Sequence, residues 1–176
     1  MSELRTNRIV PRDGLPSGSS GGIIQVKSVA KTDTFSSNST SYTDVTGLSV
    51  SITPTRADSK ILVMMHVQIG HDSNVAGFLR LMRDSTAIAV ATDAGSSRNV
   101  ATVAMADDPT DDEINSLSMT FLDSPSTTSS TTYKVQMITE GSGNTGYVHV
   151  NRSGEDTDNN QNGRTCSTIT VMEVSG

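Results

Sequence analysis

The chain has 176 residues, a net charge of −6, one cysteine, no tryptophan and 3% aromatic residues. An acidic balance without any basic run excludes general attraction to nucleic acid. The single Cys166 excludes an intrachain disulfide and a cysteine-built zinc site, and no stretch supplies the ~20 apolar residues of a membrane-spanning helix.

Residues 1–22 read as an appendage. Pro11 and Pro16 fix φ and disfavour helix, so this piece is expected to be extended. GLPSGSSGG has the composition of a flexible linker. No apolar signal-peptide core precedes the prolines, so synthesis in the cytoplasm without export by that route is expected. Within the arm, Arg5, Arg8 and Arg12 can pair with carboxylates, and Leu4, Ile9, Val10 and Leu15 offer apolar anchors.

From residue 23 the pattern changes to period two, and one head domain over 23–176 is expected. GIIQVKSV reads as a first strand. The polar stretch 28–45 follows, expected as short, broken strands. LSVSITP places Leu48, Val50 and Ile52 on one face and ends at Pro54. KILVMMHVQIG is apolar on both faces, with Ile61, Val63, Met65, Val67 and Ile69 on one and Leu62, Met64 and His66 on the other. Such a strand needs two covers: the core on one side and, on the other, a neighbouring subunit or a further part of the same chain. FLRLMRD, LSMTFLD, TYKVQMITE, GYVHVNRS and STITVMEV alternate likewise, and TAIAVAT and NVATVAMA read as Ala/Val strands or close-packed loops. Turn clusters recur about every ten residues, the rhythm of an all-β sandwich or barrel.

Motifs that resemble chemistry dissolve in context. GSGNTG at 141–146 fits G-x-G-x-x-G, but a strand rather than a helix follows, so its glycines suit a hairpin turn. Asp156, Asp158 and Asn160 have EF-hand-like spacing, yet Gln161 occupies the glycine position and no Glu closes the loop, leaving a weak ion candidate in a solvated loop. His66 and His71 are five apart and face opposite sides of one strand. No G-x-S-x-G elbow occurs, and Cys166 has no base near it in sequence, so neither an enzyme nor a cofactor is expected. Tyr147 is the best exposed aromatic for a sugar face, while Phe78, Phe121 and Tyr133 are expected in the core.

The phrases LRTNRIVPRDGLP, YTDVTGLSVSITPT-x-x-x-SKILV, FLRLMRD, F-L-D-S-P, TTYKVQM and STITVMEV resemble a recurrent class of small tailed-phage virion structural or fibre proteins, common in phages of marine bacteria. The resemblance spans nearly the whole chain. It implies a trimeric jelly roll of the C1q/tumour-necrosis-factor type, of about ten strands, with Leu62, Met64 and His66 as trimer-interface candidates. It also implies a virion-surface location after synthesis in the host bacterial cytoplasm, with other virion proteins as partners, foremost the major capsid protein.

Two roles follow. One is a capsid-surface or head-fibre decoration protein fixed by its N-terminal arm. The other is the receptor-binding tip of a tail fibre, recognising a host surface glycan or protein. Residues 1–22 carry neither heptads nor a collagen-like repeat of the kind a fibre shaft uses, so the expectation leans to decoration.

Overall fold

The computed structural model describes residues 22–92, 95–140 and 146–176. The N-terminal arm candidates Leu4, Arg5, Arg8, Ile9, Val10, Arg12 and Leu15, and most of the GSGNTG turn, lie outside them.

Eleven strands and no helix are found among the described residues. They are β1 (Ile23–Lys31), β2 (Phe35–Ser37), β3 (Thr43–Ile52), β4 (Lys60–His71), β5 (Gly77–Arg83), β6 (Thr86–Ile88), β7 (Val103–Met105), β8 (Asn115–Asp123), β9 (Thr131–Thr139), β10 (Val148–Val150) and β11 (Ser167–Val174). All pairings are antiparallel. In one sheet the long strands run β1-β11-β4-β8, and β10 followed by β2 extends it from the far end of β4. The facing sheet runs β3-β9-β5, with β6 and β7 beyond β5. First strand against last, and early strands interleaved with late ones, is the nested order of a jelly roll.

Alternation explains the core. Ile61, Val63, Met65, Val67 and Ile69 of β4 are buried against Leu79 and Leu81 of β5, Tyr133, Val135 and Met137 of β9, and Leu48, Val50 and Ile52 of β3. Tyr133 is core as expected, but Phe78 and Phe121 are only half-buried. The Ala/Val stretches shrink to the three-residue β6 and β7, and the polar stretch 28–45 yields β2 as well as the start of β3. A bulge between Asp44 and Ser49 is centred on Gly47 at φ +86°, where the buried stem of Lys31 lies against the glycine.

Polar groups close both ends of the sandwich. At the Lys60 end, Asp123 of β8 accepts two hydrogen bonds from Arg83 Nη1 (2.8 and 2.9 Å) and one from the Tyr133 hydroxyl (2.7 Å), tying the two sheets together. Burial, then the bond to Asp123, pushes the Tyr133 hydroxyl pKa up. Beside it, the buried Glu173 accepts from Gln25 Nε2 (2.6 Å) and from the backbone N and hydroxyl of Thr55 (2.7 Å each). Burial raises its pKa, but these donors outweigh that and hold it below the ordinary range.

At the His71 end three backbones meet. A side chain on Gly70 would place its first carbon 2.4 Å from the Arg152 carbonyl, and one on Gly154 would meet the His71 carbonyl. Asn151, fully buried at φ +66°, donates to the carbonyls of Lys31 (2.9 Å) and Asp33 (2.8 Å) and accepts from Ser167 Oγ (2.6 Å).

Candidate functional site

The outward face of the six-stranded sheet is built from residues that alternate with the core set. Register places Val26 opposite Met172, Met172 opposite Leu62, and Leu62 opposite Leu122. These four form one apolar row straight across β1, β11, β4 and β8. Val26 is 50% and Leu122 53% exposed. The next row is Ser28, Thr170, Met64 and Thr120, with Met64 42% exposed, and the one after is Ala30, Thr168, His66 and Ser118. Ile23 and Val174 extend the patch at the corner where β1 begins.

Lys60 is the one full charge on these rows, and no carboxylate lies on them. The polar members satisfy one another: Ser28 pairs with Thr170 (2.8 Å), Ser116 donates to Gln68 (2.9 Å), Gln68 meets His66 (2.7 Å) and Lys60 donates to Ser124 (2.9 Å). The other sheet differs. Its outer face carries the Asp44–Lys134 ion pair (2.7 Å), Gln136 donating to Asp44 (2.6 Å), Arg80 donating to Gln136 (2.8 Å), and the Arg80 guanidinium 3.9 Å over the Tyr42 ring. The Lys134 hydrogen bond, then that of Gln136, holds the Asp44 carboxyl below its ordinary range. One face thus carries a charged network, and the other, neutral but for Lys60, carries an apolar row.

The sequence candidates Leu62, Met64 and His66 therefore share the neutral face, with Met64 and His66 exposed on it. Sequence reasoning missed Val26, Met172 and Leu122, because the outward faces of β1, β11 and β8 mix apolar residues with Ser, Thr and Ala and show no apolar run. Only cross-strand register lines them up.

The weak ion candidates are placed differently. Asp156 is engaged by Arg164 and lies 3.8 Å from Arg152, and the Arg164 hydrogen bond depresses its pKa. Asp158 stands exposed in the same loop with Asn160. Among the described residues no three His, Cys, Asp or Glu side chains group to hold a metal. His66 and His71 do face opposite sides, and His71 is buried, hydrogen-bonded through Nδ1 to the Asp72 carbonyl (2.8 Å). Asn151-Arg152-Ser153 has the N-x-S form of a glycosylation acceptor, but Asn151 is buried, its amide donating to two carbonyls and accepting from Ser167 Oγ.

A second arrangement, unread in the sequence, sits at the His71 end. Register sets His149 of β10 directly opposite Ser36 of the edge strand β2. His149 Nδ1 lies 2.9 Å from Ser36 Oγ, and its Nε2 lies 2.9 Å from Asp72 Oδ1. The other Asp72 oxygen accepts from the Tyr147 backbone N (2.8 Å), and the Tyr147 ring stacks on the imidazole at 10° with centroids 6.1 Å apart. His149 is 2% exposed, while Ser36 is open to solvent. Arg152, pinned through Nη1 by the carbonyls of Ser153 and Gly154 (2.9 Å each), reaches within 3.4 Å of Ser36 Oγ with Nη2. Burial lowers the His149 pKa and Asp72 opposes it, leaving it below the ordinary value; burial raises Asp72, and its bonds from His149 and Tyr147 bring it below.

No protein-family model matches the chain, and no curated protein matches it in sequence. Among solved structures it is similar to chains of infectious bursal disease virus. For the Gt strain the identity is 14% over 98% of this chain and 43% of that one, at a TM-score of 0.47. For the Gx strain the values are 15%, 98%, 45% and 0.44, and for the VP2 subviral particle 14%, 98%, 42% and 0.46. The chain spans less than half the length of each.

Proposed function

We propose that the chain is a virion structural protein, a homotrimeric decoration head fixed to a particle surface by residues 1–22. The observation that carries this reading is the neutral outer face of β1, β11, β4 and β8. An apolar row left in water is a standing cost of about 25 cal/mol per Å2, and contiguous exposed apolar surface marks a place where another protein packs. Depletion of charge is the compositional sign of an interface centre.

The partner that best suits this face is a second copy. Copies of a chain with net charge −6 repel one another, so close contact is favoured where carboxylates are absent. The face meets that condition, and the opposite face, with Asp44 exposed on it, does not. Threefold packing about Leu62, Met64 and His66 would cover both sides of β4, as its two-sided apolar pattern requires. Of the phrases that carry the phage-protein resemblance, those within the described residues fall on β3, β4, β5, β8, β9 and β11.

Docking is assigned to the arm. Arg5, Arg8 and Arg12 would pair with an acidic shell, with Leu4, Ile9, Val10 and Leu15 as anchors. Three arms on one trimer act together, so each can bind modestly. The test is deletion of residues 1–20. A folded trimer that no longer joins particles is expected, whereas normal occupancy by the truncated protein refutes the anchoring role. Particles lacking the protein are expected to adsorb to cells, and loss of adsorption would replace decoration with receptor binding.

A further inference from the structure

The corner formed by Ser36, His149, Asp72 and Arg152 has the polarity of an activated hydroxyl. A neutral imidazole carries one N–H. With a carboxylate 2.9 Å from Nε2, that proton sits on Nε2 and donates to Asp72. Nδ1 is then a lone-pair acceptor, and the Ser36 O–H donates to it. Nucleophile, base and orienting carboxylate in hydrogen-bond reach are the geometric signature of nucleophilic catalysis, whatever the order of the residues in the chain.

We propose that Ser36 is a nucleophile that accepts the acyl group of a carboxylic ester, with His149 as its general base and Asp72 as the positioning residue. In the first step the Ser36 Oγ–carbon bond forms while the hydroxyl proton passes to His149 Nδ1. The ester C–O bond then breaks, and that proton goes to the departing alkoxide. Water repeats the sequence on the acyl-serine, so ester and water become acid and alcohol. Arg152 Nη2, 3.4 Å from Ser36 Oγ, sets positive charge beside the place where negative charge develops. Ser36 stands on an exposed edge strand, which suits esters displayed on a surface rather than small molecules drawn into a cavity.

Several features separate this corner from an ordinary surface contact. The imidazole is 2% exposed and clamped on both nitrogens, with the Tyr147 ring along its face. Asp72 is itself fixed by the Tyr147 backbone N–H. The charged and titratable groups around the imidazole are Asp72 after β4, Tyr147 before β10, and Arg152 and Asp156 after it. This inference is independent of the assembly reading, since the corner and the apolar row lie at opposite ends of β4.

The full-length chain is treated with an alkyl fluorophosphonate, and separately with p-nitrophenyl acetate, and modified serines are located by peptide mass mapping. Both reagents are expected to modify Ser36 ahead of the many other serines, and Ser36→Ala to lose that label. His149→Gln should slow labelling about 100-fold, within the usual range for a general base. Asp72→Asn should slow it too and change its pH profile, because an amide no longer fixes the tautomer. In the native chain the rate should fall only on the acid side of the ordinary histidine range, where His149 protonates. Where His149→Gln does not fold, Asp72→Asn and the pH profile carry the test. Ser36 labelled no faster than other serines, or equally fast in Asp72→Asn, overturns the proposal. Phosphonylation with neither acyl-Ser36 nor p-nitrophenol release above the Ser36→Ala level overturns the assignment of esters.

Discussion

Replacing Asp123 by alanine removes the acceptor that joins the two sheets. Two groups are left behind, with unequal costs. The Tyr133 hydroxyl belongs to a side chain with no exposed surface, so it is stranded without water, at about 1–3 kcal/mol. Arg83 is 29% exposed and can turn its guanidinium to solvent, so the broken pair adds only about 1 kcal/mol. The sum is about 2–4 kcal/mol. For a domain of this size each kcal/mol lowers Tm by about 2–4 °C, so a fall of about 4–16 °C is expected. Asp123→Asn keeps an acceptor for Tyr133 and should lose less than half as much. Tyr133→Phe removes the donor while Asp123 keeps Arg83, and should cost about 1 kcal/mol. Thermal and urea unfolding at one fixed protomer concentration measures all three. An Asp123→Ala chain within 0.5 kcal/mol of the native one, or an Asn variant as damaged as the Ala variant, would refute the reasoning that a stranded hydroxyl dominates.

Gly70→Ala should be strongly destabilising, by about 3 kcal/mol or more, because the added methyl meets backbone rather than a movable side chain; unfolding midpoints check this, and a shift below 1 kcal/mol would contradict the packing at that end. Glu173 has a depressed folded pKa, so its contribution is complete above the unfolded carboxylate value of about pH 4 and is lost as pH falls through the folded value. Native stability should therefore drop on acidification below about pH 4, and Glu173→Gln should be less stable at pH 7 but show a shallower acid loss in a pH series of urea titrations.

The sheet strands were legible wherever apolar residues alternate over several positions, as in β4, β8, β9 and β11, because period two and burial on one face are the same fact. Both faces of β4 were readable: the Ile61 set is buried in the core, and Met64 and His66 lie exposed on the other side. The strands β2, β6 and β7 have three residues each, too few for a period, and exist because neighbouring strands offer them an edge. What stayed hidden depends on register between distant segments. The row Val26, Met172, Leu62 and Leu122 takes one residue from each of four strands. Ser36 and His149 are 113 residues apart and become neighbours only when β2 pairs with β10. The sole sequence hint of that corner was a histidine amid valines in GYVHV, which marks a side chain opposite the core face.

The most direct measurement of self-association through the neutral sheet face is the solution mass of the full-length protein by light scattering during gel filtration. A trimer is expected for the native chain at about 10 μM protomer, and a folded monomer for Leu62→Lys combined with Leu122→Lys, since buried unpaired charges disfavour the contact by several kcal/mol. A native chain that runs as a monomer, or a double-lysine variant that remains a trimer, would contradict it.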